Sequence, residues 1–102
     1  MIIVNAALEP KEGKKDEIIG KATPLIEASR NHEGNISYDL YENVQDKTLF
    51  FVERWQSSEA LQKHMQTEEF QLFGKETKDL MAGELGIKIF TAELLSDESA
   101  AK

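Results

Sequence analysis

The chain has 102 residues, so a single domain is expected. Nineteen acidic against twelve basic residues give a net charge of −7, which repels polyanions and sets nucleic acid aside as a partner. With no cysteine there is no disulfide framework, no thiol nucleophile and no cysteine metal site, and the cytoplasm is the expected compartment.

The opening run "MIIVNAALEP" is apolar for about eight residues but lacks a charged leader and a small-residue cleavage site, so no signal peptide is read there. No stretch approaches the roughly 18 apolar residues of a membrane span, and no membrane partner is expected. Residues 2–8 alternate as a strand, with Ile2, Val4, Ala6 and Leu8 on one face and Ile3, Asn5 and Ala7 on the other. Pro10 and Gly13 mark its exit. Residues 14–31 carry a helical stripe of Ile18, Ala22, Leu25, Ile26 and Ser29. Pro24 inside it predicts a kink in one helix rather than two helices, and Gly34 is placed to end it.

Residues 35–43 and 48–55 read as two strands joined by the "ENVQDK" hairpin loop, with Leu49, Phe51, Glu53 and Trp55 sharing one face of the second. Ser57 is a good N-cap for a short helix to about Gln66, and Thr67 for a second helix whose inner stripe is Phe70, Phe73, Thr77, Leu80 and Met81. After the "AGELG" loop, residues 87–95 form the last strand. Residues 1–95 are therefore one domain, and 96–102 a polar tail expected to be disordered. The order β-α-β-β-α-β is the α+β, ferredoxin-like arrangement. Its helices can cover one sheet face, although both faces carry apolar residues, so a second copy is expected on the open face.

Asn5 on the first strand, "EGNISYDLY" (33–41) and "FVERWQSSEALQKHMQTEEFQLF" (51–73) carry a resemblance to the antibiotic biosynthesis monooxygenase domain family, over roughly residues 2–94. The resemblance implies a homodimeric α/β-barrel with one pocket per subunit between sheet and helices. It implies one of several activities: cofactor-independent oxygenation of quinols or other electron-rich phenols, haem degradation, or autoinducer processing. The haem-degrading members look alike in an Asn on the first strand, a Trp in the first short helix after the third strand, and an iron-binding His ten residues on. Here Asn5 matches, His64 holds the Trp position and Gly74, with no side chain to offer, holds the His position, so haem degradation is not expected.

His64 shares a helical face with Ala60 and Leu61 and is expected to point inward, as a base or hydrogen-bond partner for a phenolic oxygen. The plainer alternative is a histidine satisfied by Glu53 or a backbone carbonyl. Glu53, costly to bury unpaired, is expected to orient His64 or to close a salt bridge. Trp55 is read as a pocket wall or as closure of the sheet edge. Asn5, unusual inside a strand, is expected to bind a substrate oxygen, unless its amide satisfies local backbone. Tyr38, Tyr41, Phe51, Phe70 and Phe73 are candidates to line a flat aromatic cavity, with Phe70, Phe73 and Met81 the best placed and Met65 beside them, although such stripes also build plain cores. His32 is read as a helix-end group without chemistry.

Two histidines without a carboxylate at ligand spacing make no metal pattern, and no phosphate loop or dinucleotide fingerprint is present. No metal and no cofactor is expected, and oxygen chemistry stays open without one because an electron-rich phenolate can itself give an electron to dioxygen. The expectation is a monooxygenase for a quinol or polyphenol-like aromatic, with His64 and Asn5 converging on one apolar hollow. The alternatives are a dimeric barrel that binds a small aromatic ligand without turnover, and an enzyme that processes an autoinducer-type signal, which would require a more polar pocket.

Overall fold

The computed structural model describes residues 1–98. The elements run β1 (Ile2–Leu8), α1 (Lys15–Ser29), β2 (Asn35–Glu42), β3 (Leu49–Trp55), α2 (Ser58–Met65), α3 (Glu68–Thr77), a 3-10 turn (Lys78–Leu80) and β4 (Gly86–Thr91). The four strands form one antiparallel sheet in the order β2-β3-β1-β4, which is the ferredoxin-like arrangement.

Alternation in β1 and β3 decides which face is buried. Val4, Ala6 and Leu8 of β1 and Leu49, Phe51, Glu53 and Trp55 of β3 face the helices and are buried. Ile3, Asn5 and Ala7 face the other way, with Phe50, Val52 and Arg54 beside them. The register sets side chains in rows across the sheet. Tyr38, Glu53, Val4 and Ile89 form one such row, and Leu40, Phe51, Ala6 and Ile87 the next.

α1 lays Ile18, Ala22, Leu25 and Ser29 onto the sheet and runs unbroken through Pro24. It ends two residues earlier than the pattern predicts. Arg30 N closes the last turn on Ile26 O, and His32 N then donates to Ser29 O at 3.0 Å. His32 thus sits in a tight turn rather than in the helix. Gly34, with φ +82°, completes that turn, and Asn35 N returns to His32 O at 3.1 Å.

Ser57 and Thr67 cap α2 and α3 as the sequence predicts, accepting from Ala60 N and Phe70 N. In β2, alternation alone would put Ile36 on the face of Tyr38 and Leu40. A bulge between Asn35 and Ser37 leaves it out of the ladder, half-exposed. β4 is shorter than expected. It pairs only with β1, and the ladder ends where Ala92 N donates to Met1 O at 2.8 Å. Residues 92–98 carry no regular structure, and the part of the expected tail at 99–102 lies outside the described residues. No helix among the described residues is long and apolar enough to cross a membrane.

The helices cover β2, β3 and β1 but not β4, whose Ile87 and Ile89 face the helix side yet stay half-exposed. The cavity opens at this uncovered margin.

Candidate functional site

A cavity of about 80 Å³ lies between the sheet and α2 and α3. Its floor is Val4, Ala6, Tyr38, Phe51 and Glu53, its roof Leu61, His64, Met65, Phe70 and Phe73, and its rim Met81, Leu85, Ile87 and Ile89. Nearly all of this wall is hydrocarbon. The polar exceptions are Tyr38, Glu53, His64 and Thr77, and Thr77 spends its hydroxyl on Phe73 O at 2.7 Å.

His64 is 1% exposed. Four rings surround it: Trp55 at 4.6 Å between centroids, Phe70 at 5.1 Å, and Tyr38 and His32 each at 5.2 Å. One ring nitrogen, Nδ1, meets His32 Nδ1 at 3.0 Å. The other, Nε2, has no hydrogen-bond partner. Glu53 Oε1 is its nearest carboxylate oxygen, at 3.9 Å, beyond hydrogen-bond reach. A buried polar atom left unpaired costs free energy, and in native proteins such an atom marks strain, a catalytic role, or a bound water or ion.

Glu53 is held from the strand side. Its Oε1 accepts the Trp55 indole N–H at 3.0 Å, both residues being buried. Burial pushes the Glu53 carboxyl up to about 7, and the indole bond holds it back from going higher. Burial pushes the His64 imidazole down to about 4, with repulsion from His32 adding to the effect and Glu69 opposing it. Burial, and then the Glu53 charge, push the Tyr38 hydroxyl up, so it stays protonated at neutral pH. At pH 7 the pocket therefore holds a neutral imidazole with one free nitrogen beside a carboxyl close to its midpoint.

Of the residues singled out in the sequence, His64, Glu53, Phe51, Phe70, Phe73 and Met65 come together around this cavity. Trp55 does not wall it. The indole lies behind Glu53, fully buried, and acts by bonding the carboxylate. Asn5 is not there either. Strand alternation puts it on the open sheet face, exposed and in a row with Val52 and Lys88, so its amide and the His64 imidazole do not converge. Tyr41 stacks on Phe50 on that same outer face, at 5.5 Å.

Sequence reasoning missed two residues. His32, read as a helix-end group, is the partner of His64, and Glu69 stands 3.5 Å from His32 Nε2. No spacing rule joins residues 32, 64 and 69; the turn after α1 brings them together. Gly74 lines the cavity without a side chain to offer iron, and the volume is far below the roughly 300–1,000 Å³ of large-ligand pockets. The site does not fit haem. No cluster of three metal-binding side chains occurs among the described residues.

The comparisons agree with this architecture. The family model described as "Antibiotic biosynthesis monooxygenase" matches residues 1–76. The chain is 34% identical over 88 residues to "Putative monooxygenase YcnE" of Bacillus subtilis (strain 168), covering 85% of this chain and 93% of that protein. It is 38% identical over 90 residues to "Uncharacterized protein sll1783" of Synechocystis sp. (strain ATCC 27184 / PCC 6803 / Kazusa), covering 87% of this chain and 61% of that protein. The solved structure of Rv0793 from Mycobacterium tuberculosis superposes with a TM-score of 0.86 at 22% identity, over 96% of this chain and 98% of that one, a likeness of fold. With a matched model over most of its length and a relative at this identity, the chain belongs to the antibiotic biosynthesis monooxygenase family.

Proposed function

We propose that the protein is a cofactor-independent monooxygenase for a small electron-rich phenol or quinol. One observation carries the reading: the unpaired Nε2 of a fully buried, neutral His64, facing Glu53 in an otherwise apolar cavity. A phenolic O–H is the donor this nitrogen lacks, and a flat ring suits the hydrocarbon wall around it.

The chemistry divides between protein and substrate. His64 Nε2 takes the phenolic proton, and an ionised Glu53 at 3.9 Å favours the imidazolium that forms. The phenolate then gives an electron to dioxygen, and recombination forms a carbon–oxygen bond at a ring carbon that bears hydrogen. Loss of that hydrogen as a proton and cleavage of the O–O bond leave a quinone carbonyl and water. One oxygen atom enters the substrate and the other leaves in water, which carries both protons. The apolar wall desolvates the anion, which raises its reactivity.

Cavity size limits the substrate. The volume of about 80 Å³ is below the roughly 150 Å³ of an engineered cavity that takes benzene. One ring enters when flexible Met65 and Met81 give way, whereas a fused polycycle does not fit. The apolar lining also disfavours a sugar-like signal. The open sheet face, with Ile3, Phe50, Val52 and Phe90, is the surface on which we place a second copy, forming the homodimeric barrel.

Oxygen uptake with a panel of hydroquinones, for wild type and His64→Ala, tests the reading. Uptake in wild type and its loss in the variant are expected. Equal rates in both remove His64 from the reaction. Quenching of Trp55 fluorescence by aromatic ligands without oxygen uptake replaces the enzyme with a binding barrel, because Trp55 packs 4.6 Å from the His64 ring.

A further inference from the structure

We propose that His64, His32 and Glu69 form a relay that carries the substrate's proton from the cavity to solvent. The inference rests on the phenol-binding reading of the cavity and adds the two residues that reading does not use.

The geometry is a chain of contacts with graded exposure. His64 Nδ1 lies 3.0 Å from His32 Nδ1, and His32 Nε2 lies 3.5 Å from Glu69 Oε1. Side-chain exposure rises from 0% at His64 to 18% at His32 and 40% at Glu69. Each element of the helix layer supplies one member: α2 gives His64, the turn after α1 gives His32, and the first turn of α3 gives Glu69.

The tautomers of the two rings set the direction of the relay. Glu69 Oε1, 3.5 Å from His32 Nε2, favours a proton on that nitrogen through charge rather than through a hydrogen bond. With that proton on Nε2 and Nδ1 bare, His64 Nδ1 is the donor in the 3.0 Å contact. His64 Nε2 is left as a lone pair on the Glu53 side of the ring, which accounts for its missing partner. The titratable groups packed around the His64 ring are Glu53 from β3, Tyr38 from β2 and His32 itself.

The proton moves in three balanced transfers. The phenolic proton bonds to His64 Nε2; the proton on His64 Nδ1 passes to His32 Nδ1; the proton on His32 Nε2 passes to Glu69 or surface water. Both rings end in the opposite tautomer. Protonation of the oxygen that leaves as water draws a proton inward along the same contacts and restores both rings. An exit of this kind is needed because the buried imidazole is a poor place to keep the charge: burial pushes His64 down to about 4.

Ring-nitrogen NMR on the unliganded protein at pH 7 is the first test and requires no turnover. Protons on His64 Nδ1 and His32 Nε2 are expected; a proton on His64 Nε2 overturns the relay. The second test compares wild type, His32→Asn and the surface variant Glu69→Gln for hydroquinone oxidation in dilute and concentrated buffer. The expected result is a kcat loss of roughly tenfold or more in His32→Asn with KM nearly unchanged, and partial recovery in concentrated imidazole buffer. In Glu69→Gln a smaller kcat loss is expected, with unchanged thermal unfolding. A His32→Asn rate that matches wild type at every buffer concentration overturns the relay. Absence of oxygen uptake in wild type defeats the oxygenase reading alone, because the NMR result still decides the relay.

Discussion

His64 Nε2 stops 3.9 Å from Glu53 Oε1, too far for a hydrogen bond and near enough for each group to feel the other's charge. Burial moves the two groups in opposite directions, to about 4 for His64 from 6.5 and to about 7 for Glu53 from 4.5. Between pH 4.5 and 7 the unfolded chain has released the Glu53 proton while the folded chain keeps it, so this contribution to stability falls as pH rises. Between pH 6.5 and 4 the unfolded chain binds a proton at position 64 that the folded chain refuses, so this contribution falls as pH drops.

Each effect amounts to about 3 kcal/mol when fully developed. Overlapping windows of opposite sign nearly cancel in the native protein, and single variants unmask them. Glu53→Gln is expected to lose stability as pH drops below 6.5, and His64→Gln to lose it as pH rises above 4.5. Urea unfolding of all three proteins across this range measures both slopes. Three parallel profiles defeat the assignment.

Trp55→Phe isolates the strand-side support of Glu53. The ring remains to fill the core, but the buried N–H that bonds Oε1 at 3.0 Å is gone. Loss of a hydrogen bond to a buried carboxyl costs about 1–3 kcal/mol. The indole bond is what holds the Glu53 carboxyl back, so its removal pushes that group further above 7. Turnover that needs an ionised Glu53 rises with pH through this value in wild type. In Trp55→Phe the midpoint moves to higher pH. A pH–rate profile with an unmoved midpoint separates Glu53 from the reaction.

How much of this was legible in the sequence depended on range. The alternation of Leu49, Phe51, Glu53 and Trp55 is local, and it placed Glu53 on the buried face. The helical spacing of Ala60, Leu61 and His64 likewise turned the imidazole inward. Asn5 was misplaced because period-two alternation was read correctly but not applied across strands. Val4 and Ala6 share the face of Glu53, and that sends Asn5 to the opposite one. His32 was missed because the last turn of α1 closes two residues early and the contact to His64 spans 32 positions. Neither fact leaves a periodic signal.

Gly34 is the residue on which that turn depends. Its φ of +82° is open to glycine at little cost, and a β-carbon built there would meet the Ala60 β-carbon at 2.5 Å. Gln56 N also donates to its carbonyl at 2.8 Å, fixing the turn to the start of α2. Gly34→Ala must either push α2 away or flip the backbone. The expected cost is about 2–3 kcal/mol, read by denaturant unfolding. Because His32 sits two residues earlier, the His32–His64 contact should loosen too, seen as altered ring-nitrogen shifts. A variant as stable as wild type shows that the turn relaxes freely.

The outer sheet face supplies the last prediction. Val52 stands in the middle of it, between Asp39 on β2 and Asn5 on β1, with the Tyr41–Phe50 pair one row away. Apolar side chains on this face have no helix above them, and pairing with an identical face is a symmetric way to remove them from water. Sedimentation of the wild type should therefore report a dimer. Val52→Asp puts a carboxylate beside the native Asp39 and, across the twofold, against a second copy of the same pair. Desolvating these charges opposes association, so the variant should sediment as a monomer. Val52 points away from the His64 cavity, so the monomer should still bind a phenol if each cavity is built from one chain. A monomer that loses binding shows that the partner copy completes the site, and a wild type that sediments as a monomer removes the barrel.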